Sequence, residues 1–291
     1  MAIEEHPSFD QPPVTVGLWR YTDLPKFIEL MISRSLWLAN AEVLAVDDPY
    51  EGRFGAMQFP HRRWRSIDDL PEVLRVQLDE RYRGESDGTR ESIFNSWFMT
   101  EEQQCIISNA GRRNFYVSCW HAAHHESVAM WKIYGAPGAG VAILTNAGRM
   151  NASLAANDLG MHLGAVQYAD ANTFVIGATN VFDALMKKRA SYAYEQEVRI
   201  VHWNTGDSHD PLVNFEWNEN TLRFANVVDD PRPVTPGLSV ECDIGVMIEQ
   251  VIVSPFAPSW YVSMIERLRD ILGYSFPVTG SLLLEAPPLL P

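Results

Sequence analysis

Tyr194-Glu195-Gln196-Glu197-Val198-Arg199-Ile200-Val201 is the stretch on which the reading of this chain turns. Polar and apolar residues alternate through it, which is the period of a half-buried strand. Side chains on a strand alternate faces. Glu195, Glu197 and Arg199 are therefore expected on one face, with Val198 and Ile200 on the other. Two carboxylates at i and i+2 lie about 7 Å apart. Such a pair can orient a sugar hydroxyl and stabilise positive charge on the sugar ring. The competing reading is a solvated strand face on which Arg199 neutralises its neighbours.

Composition narrows the classes. The chain has 291 residues, 46% of them hydrophobic, with nine Trp, ten Tyr and thirteen Phe, enough to bury a large core. Its net charge of −14 argues against sequence-independent binding to nucleic acid or an anionic membrane. The three cysteines, Cys105, Cys119 and Cys242, are odd in number and widely spaced, which points to a reducing, cytoplasmic setting. The N-terminus is polar and acidic, with neither a secretory signal nor a long apolar run after it.

Working outward from Glu195, the segment Val181 to Ala190 reads as a helix feeding the glutamate strand. Phe115 to Trp120 reads as a strand with Tyr116 and Ser118 on one face, and Gly140 to Thr145 as another. Glu126 to Tyr134 reads as a helix. Val14 to Tyr21 alternates, and Asp23 can cap a helix bearing Leu24, Phe27, Ile28 and Met31. Leu36-Trp37-Leu38 and Val251-Ile252-Val253 are short strands, and a helix follows Ser259 up to Gly273. Residues 60–110 are polar and helical in pattern, and 205–236 form a long excursion. Strands and helices do not alternate regularly. The expected fold is α+β: a single domain over 14–282 with two small β-sheets flanked by helices. A proline-rich, disordered lead-in (1–13) and a tail (283–291) flank it.

Several constellations bear chemistry. Arg20, at a strand end ahead of a helix N-terminus, suits an anion. Ser118 and Tyr116 could hold a ribose and a planar ring, but no nucleophile elbow surrounds Ser118. His121 and His125 could ligate a metal if helical, yet a third ligand is missing at any recognisable spacing, so no metal is expected. Trp131 and Tyr134 form a helical stripe.

Taken in order, Leu18-Trp19-Arg20-Tyr21, Asp48-Pro49-Tyr50-Glu51-Gly52, Tyr116-Val117-Ser118-Cys119-Trp120, Met130-Trp131-Lys132-Ile133-Tyr134 and Tyr194-Glu195-Gln196-Glu197-Val198-Arg199 resemble a bacterial and phage family. That family is catalogued as domain of unknown function 2971. The resemblance spans about residues 16–280, and Asp47 stands where Asn is usual. The order Arg, then aromatic-Ser, then Glu-x-Glu is also similar to the Arg-Ser-Glu pattern of ADP-ribosyltransferases. That resemblance implies an NAD-consuming mono-ADP-ribosyltransferase or NAD glycohydrolase, a toxin or phage-defence effector. NAD would be the co-substrate, contacted by Arg20, Tyr21, Tyr116, Ser118 and Trp131. Glu197 would be catalytic, and Glu195 would orient the acceptor, a protein or nucleic acid. A neutralising antitoxin would be a natural partner, and a membrane would not. The reading requires Arg20, Ser118 and Glu197 to share one cleft.

Two other classes fit the residues. A metal-dependent nuclease would use Asp48, Glu51, Glu195 and Glu197. A non-catalytic binding module would merely pair its carboxylates with Arg20 and Arg199.

Overall fold

Asp23 closes the first strand and opens the first helix. Its carboxylate accepts from the Lys26 backbone N–H at 2.8 Å, capping the helix Leu24–Ser33. Phe27, Leu30 and Met31 then fall on one buried stripe of that helix. The computed structural model describes residues 3–46, 48–52, 67–81, 83–84, 86–90, 111–136, 138–170, 182–207, 212–218, 221–228 and 231–285.

Among them the core is one nine-stranded sheet, not the two small sheets the sequence suggested. Its central path runs β11 (Gly237–Glu241), β2 (Ser35–Asn40), β3 (Phe115–Ala123), β1 (Gly17–Asp23), β4 (Gly140–Thr145), β12 (Gln250–Val253) and β13 (Val278–Gly280). Two strands branch from it: β8 (Glu197–Trp203) pairs with β3, and β5 (Met161–Ala165) pairs with β8. The long β3 is the hub. Its Val117 end pairs with β2, its His121 end with β1, and Phe115 to His121 pair with β8. Two small ribbons stand apart, β6 (Gln167–Ala169) with β7 (Lys187–Arg189), and β9 (Leu212–Asn218) with β10 (Thr221–Val228). The architecture is mixed, with helices packed on a large sheet, as the α+β reading requires.

The sheet is covered on both faces. Leu18, Tyr116, Trp120, Ile143, Val198 and Ile200 belong to the larger core, with Phe27, Met150 and Ile265 from the helices. The other face carries Phe115, Val117 and Val201 in one cluster and Trp19, Tyr21 and Trp131 in a second. β8 is buried on both faces from Glu197 to Val201, so the polar side of its alternation, Glu197 and Arg199, lies inside the protein.

The N-terminal lead-in is ordered over its described residues. Glu4 N–H donates to the Met161 carbonyl and Ala165 N–H to the Asp10 carbonyl, both at 2.8 Å, so the segment straps the free edge of β5. Phe9 is the anchor, packed against Phe182 and Phe115. It sits where a Cβ on Gly164 would meet its Cα and Cβ at 2.8–2.9 Å, so glycine makes room for it. The expected helix over Val181 to Ala190 is also replaced: Lys187–Arg189 is a strand, and Ala190–Glu195 a 3-10 turn. Of the stretch 60–110, residues 60–66 and 91–110 lie outside the described residues; within 67–90 the helix Glu72–Arg81 is present.

Candidate active site

Arg199 organises the polar cluster. It is 1% exposed, and a buried guanidinium needs acceptors for its fork of N–H groups. Nη1 and Nη2 donate to the two oxygens of Glu51 at 2.5 and 2.9 Å, a bidentate pair. Nε and Nη2 donate to Glu197 at 2.8 and 3.1 Å, and Nη1 also reaches the Leu185 carbonyl. Strand parity puts Glu197 and Arg199 on one face of β8, as the sequence indicated.

Glu195 arrives differently. It ends the 3-10 turn, and Gln196 takes a left-handed φ of 41° before β8 begins. A non-glycine residue there costs about 1–2 kcal/mol, which is how the chain turns both glutamates onto one cation. That cation is Lys188 of β7, a residue the sequence reading passed over. Its Nζ lies 2.5 Å from Glu195, 3.2 Å from Glu197 and 4.0 Å from Glu51. It also sits 4.7 Å from the centre of the Tyr192 ring. The run Lys187-Lys188-Arg189, three cations together in an acidic chain, was the available signal.

The charges fix one another's state. Burial opposes ionisation of Glu197, but the charge and hydrogen bonds of Arg199, then the charge of Lys188, hold its carboxyl at about 2. Burial likewise opposes the Lys188 charge and is outweighed, chiefly by Glu197, so its pKa is raised. The Cys119 thiol is pushed well up by burial and then by Glu197, which rules out a ready thiolate. Tyr134 donates to Glu195 at 2.6 Å, and Tyr168 accepts from the Glu197 backbone N–H at 2.8 Å. Burial first, and in Tyr134 the Glu195 bond next, raises both phenols, Tyr168 to about 12. Both are neutral donors at physiological pH.

Of these charged groups Glu197 also lines a cleft of about 740 Å³. Glu197, Tyr168, Tyr194 and His121 form one wall, and the N-terminal strap from Asp10 to Val16 another. His124, His125 and Glu126 stand at its rim.

The structure divides the residues expected to bind NAD. β1 pairs with β3 so that Trp19 faces His121, and β3 with β8 so that His121 faces Glu197. Trp19, Tyr21, His121, Glu197 and Arg199 therefore share a face. Arg20, Tyr116 and Ser118 point to the opposite one, beside Ile143, His202 and Ile200. There Arg20 Nη1 donates to Ser118 Oγ at 2.9 Å, Trp120 Nε1 donates to the same oxygen at 3.2 Å, and the guanidinium lies 5.6 Å from the Trp120 ring centre. The sheet itself separates this trio from Glu197, so the single Arg-Ser-Glu cleft is not formed. Tyr21 and Trp131 are on the glutamate side but pack edge-on to each other, rings 4.9 Å apart, in the core.

His121 and His125 are not on one helical face, because β3 runs on through Ala123. The four acids of the nuclease reading cluster through cations of the protein: Asp48 on Arg189 at 2.7 Å, Glu51 on Arg199, and Glu195 and Glu197 on Lys188. Among the described residues no group of three or more His, Cys, Asp or Glu side chains is placed to hold a metal ion. Nor is any helix of the described residues long and apolar enough to cross a membrane.

No family model, no curated protein and no solved structure matches this chain.

Proposed function

We propose that the chain is an NAD-consuming enzyme, a mono-ADP-ribosyltransferase or NAD glycohydrolase in type, that works from the Glu195–Glu197 side of its sheet. One observation carries the reading. Glu197 is 6% exposed, held ionised by Arg199 and Lys188, and forms part of the wall of a tyrosine-lined cleft. Cleaving the bond between nicotinamide and ribose builds positive charge on the sugar. A fixed carboxylate beside that sugar stabilises the charge as it develops, which is differential binding of the transition state. Strongly perturbed ionisable groups beside a cleft are where such chemistry concentrates. Glu195, bonded to Tyr134 and Lys188, sits next to the same position and would orient the acceptor. Tyr168 and Tyr194 supply ring faces for nicotinamide.

The Arg-Ser-Glu resemblance required one shared cleft and no longer supports the activity; the proposal stands on the glutamate side alone and drops Arg20, Tyr116 and Ser118. The acceptor is water in a glycohydrolase, and a protein or nucleic acid in a transferase. The net charge of −14 suits duplex DNA poorly. In a toxin or phage-defence setting, an antitoxin would act by covering this cleft.

Labelled NAD tests it, wild type against Glu197→Gln. Nicotinamide release by wild type that drops by 10²–10³-fold, roughly the cost of one oriented charge-stabilising group, supports the reading. Equal release, or none with protein and nucleic-acid acceptors present, defeats it. A second reading rests on a different feature of the same cluster: two cations, Arg199 and Lys188, pair with all three buried glutamates, Glu51, Glu195 and Glu197. A non-catalytic binding module would use the network only to hold its fold. Glu197→Gln would then change stability and no turnover.

A further inference from the structure

His121 is buried at 5% exposure, lines the cleft, and stands directly across from Glu197 in the β3–β8 pairing. Cross-strand partners on one face have Cβ atoms about 5 Å apart. Its Nδ1 lies 2.6 Å from the backbone carbonyl oxygen of Glu195. A carbonyl can only accept, so Nδ1 carries the proton. In the neutral ring that leaves Nε2 as a bare lone pair, and no described residue hydrogen-bonds it. The left-handed Gln196 makes this possible: it turns the Glu195 carbonyl to His121 while its own carbonyl accepts from Ala122 N–H at 2.9 Å. The local backbone strain thus fixes a tautomer.

We propose that His121 is the general base of the cleft, its Nε2 taking the proton from the attacking water or acceptor hydroxyl. The inference rests on the reading above. In the hydrolytic case the water oxygen forms a bond to the ribose anomeric carbon, and its proton passes to Nε2. The bond from that carbon to the pyridinium nitrogen breaks, and its electron pair leaves with neutral nicotinamide. The carbon–nitrogen bond gives way first, Glu197 stabilises the cationic sugar until the water oxygen bonds, and the proton on Nε2 is released to solvent. No oxidant or further reactant is needed. A base and a fixed carboxylate on adjacent strands divide the labour, which explains why Glu197 can stay ionised and hydrogen-bonded throughout.

The test is His121→Asn. The asparagine amide can donate to the Glu195 carbonyl as Nδ1–H does, and it has nothing in place of Nε2. The expected result is wild-type thermal stability, unchanged KM for NAD and kcat lowered about 10²–10⁴-fold, the usual worth of a general base. His121→Ala, which loses both roles, should fall in kcat and in stability together. A kcat for the asparagine variant within about threefold of wild type overturns the assignment. So does ¹⁵N NMR of the wild-type protein that finds the His121 proton on Nε2. The nitrogen shifts need no NAD. If wild type does not turn NAD over, the reaction assigned above fails, while the lone pair in the cleft is still decided by the spectrum.

Discussion

The two faces of the sheet solve the same problem in opposite ways. Each holds an arginine from a central strand. On one face Arg199 has two carboxylates and a carbonyl around it, and its pKa is driven well above the ordinary value by Glu197 and Glu51 despite its burial. On the other, Arg20 has a serine hydroxyl and the face of Trp120, and burial lowers its pKa. A buried cation with matched anions forms a fixed electrostatic frame around whatever enters beside it. A cation with a neutral partner and a ring supplies packing and one hydrogen bond. The contrast teaches what sets Arg199 apart: its neighbours are charged, and one of them, Glu197, lines the cleft.

The largest break in this contrast should come from Arg199→Met. It keeps much of the side-chain volume and leaves Glu51 and Glu197 buried without their main cation. Removing one partner of a buried ion pair costs about 3–5 kcal/mol. Denaturant melts should show a loss of that size and an unchanged slope. A loss below about 1 kcal/mol would mean that Lys188 alone can satisfy the glutamates.

Much of this frame was legible in the sequence, and the rest was hidden for physical reasons. Alternation after Gln196 placed Glu197 and Arg199 on one side of a strand, and Asp48 and Glu51 already stood out in their turn. What alternation cannot show is which face of one strand meets which face of the next. That depends on register: Trp19 opposite His121 and His121 opposite Glu197, and both pairings are long-range. A shift of one residue between β1 and β3 would have put Arg20 beside Glu197. The strand β1 is buried on both faces around Leu18-Trp19 and Tyr21-Thr22, so its own pattern gave no clue to its orientation. Lys188 was missed because Val181 to Ala190 reads as one helix, and it is pairing with the distant Gln167–Ala169 that makes Lys187–Arg189 a strand. The strap was missed because a segment rich in proline reads as disordered, and its two buried apolar residues, Ile3 and Phe9, are too few to show a period.

Acid should act through Glu197. The Glu197 carboxyl falls from an ordinary 4.5 to about 2 in the folded protein, so unfolding must bind a proton there. A group whose pKa is depressed by folding adds stability above its unfolded pKa and loses it as pH falls through the folded one. At about 1.4 kcal/mol per pH unit, the contribution is on the order of 3 kcal/mol, present above pH 4.5 and gone near pH 2. Glu197→Gln should flatten the stability profile across that window. A mutant profile as steep as wild type would place the acid sensitivity elsewhere.

The strap closes the cleft on the Glu197 side, and Gly164→Ala should loosen it. The added Cβ would press on Phe9, an overpacking worth about 1–3 kcal/mol. Proteolysis should then cut residues 3–13 faster while the sheet core stays protected, since Phe9 shares the work of holding the strap with Ile3, the His6 ring and a few edge hydrogen bonds. Equal protection in both proteins would show that the edge bonds suffice.

The smallest effect should be on the opposite face, and it is the sharpest test of the division. Ser118→Ala removes the oxygen that accepts from both Arg20 and Trp120. Leaving buried donors unsatisfied costs about 1–2 kcal/mol, so melts should register it. Turnover should not, because the sheet lies between Ser118 and the cleft. In an Arg-Ser-Glu arrangement the same change would strip a ribose contact and lower kcat/KM by an order of magnitude or more. A variant that loses about 1 kcal/mol of stability and keeps its nicotinamide release within twofold upholds the two-faced sheet. One that keeps its stability and loses its turnover would join the two faces into one site, and the Glu197 side would then be only half of it.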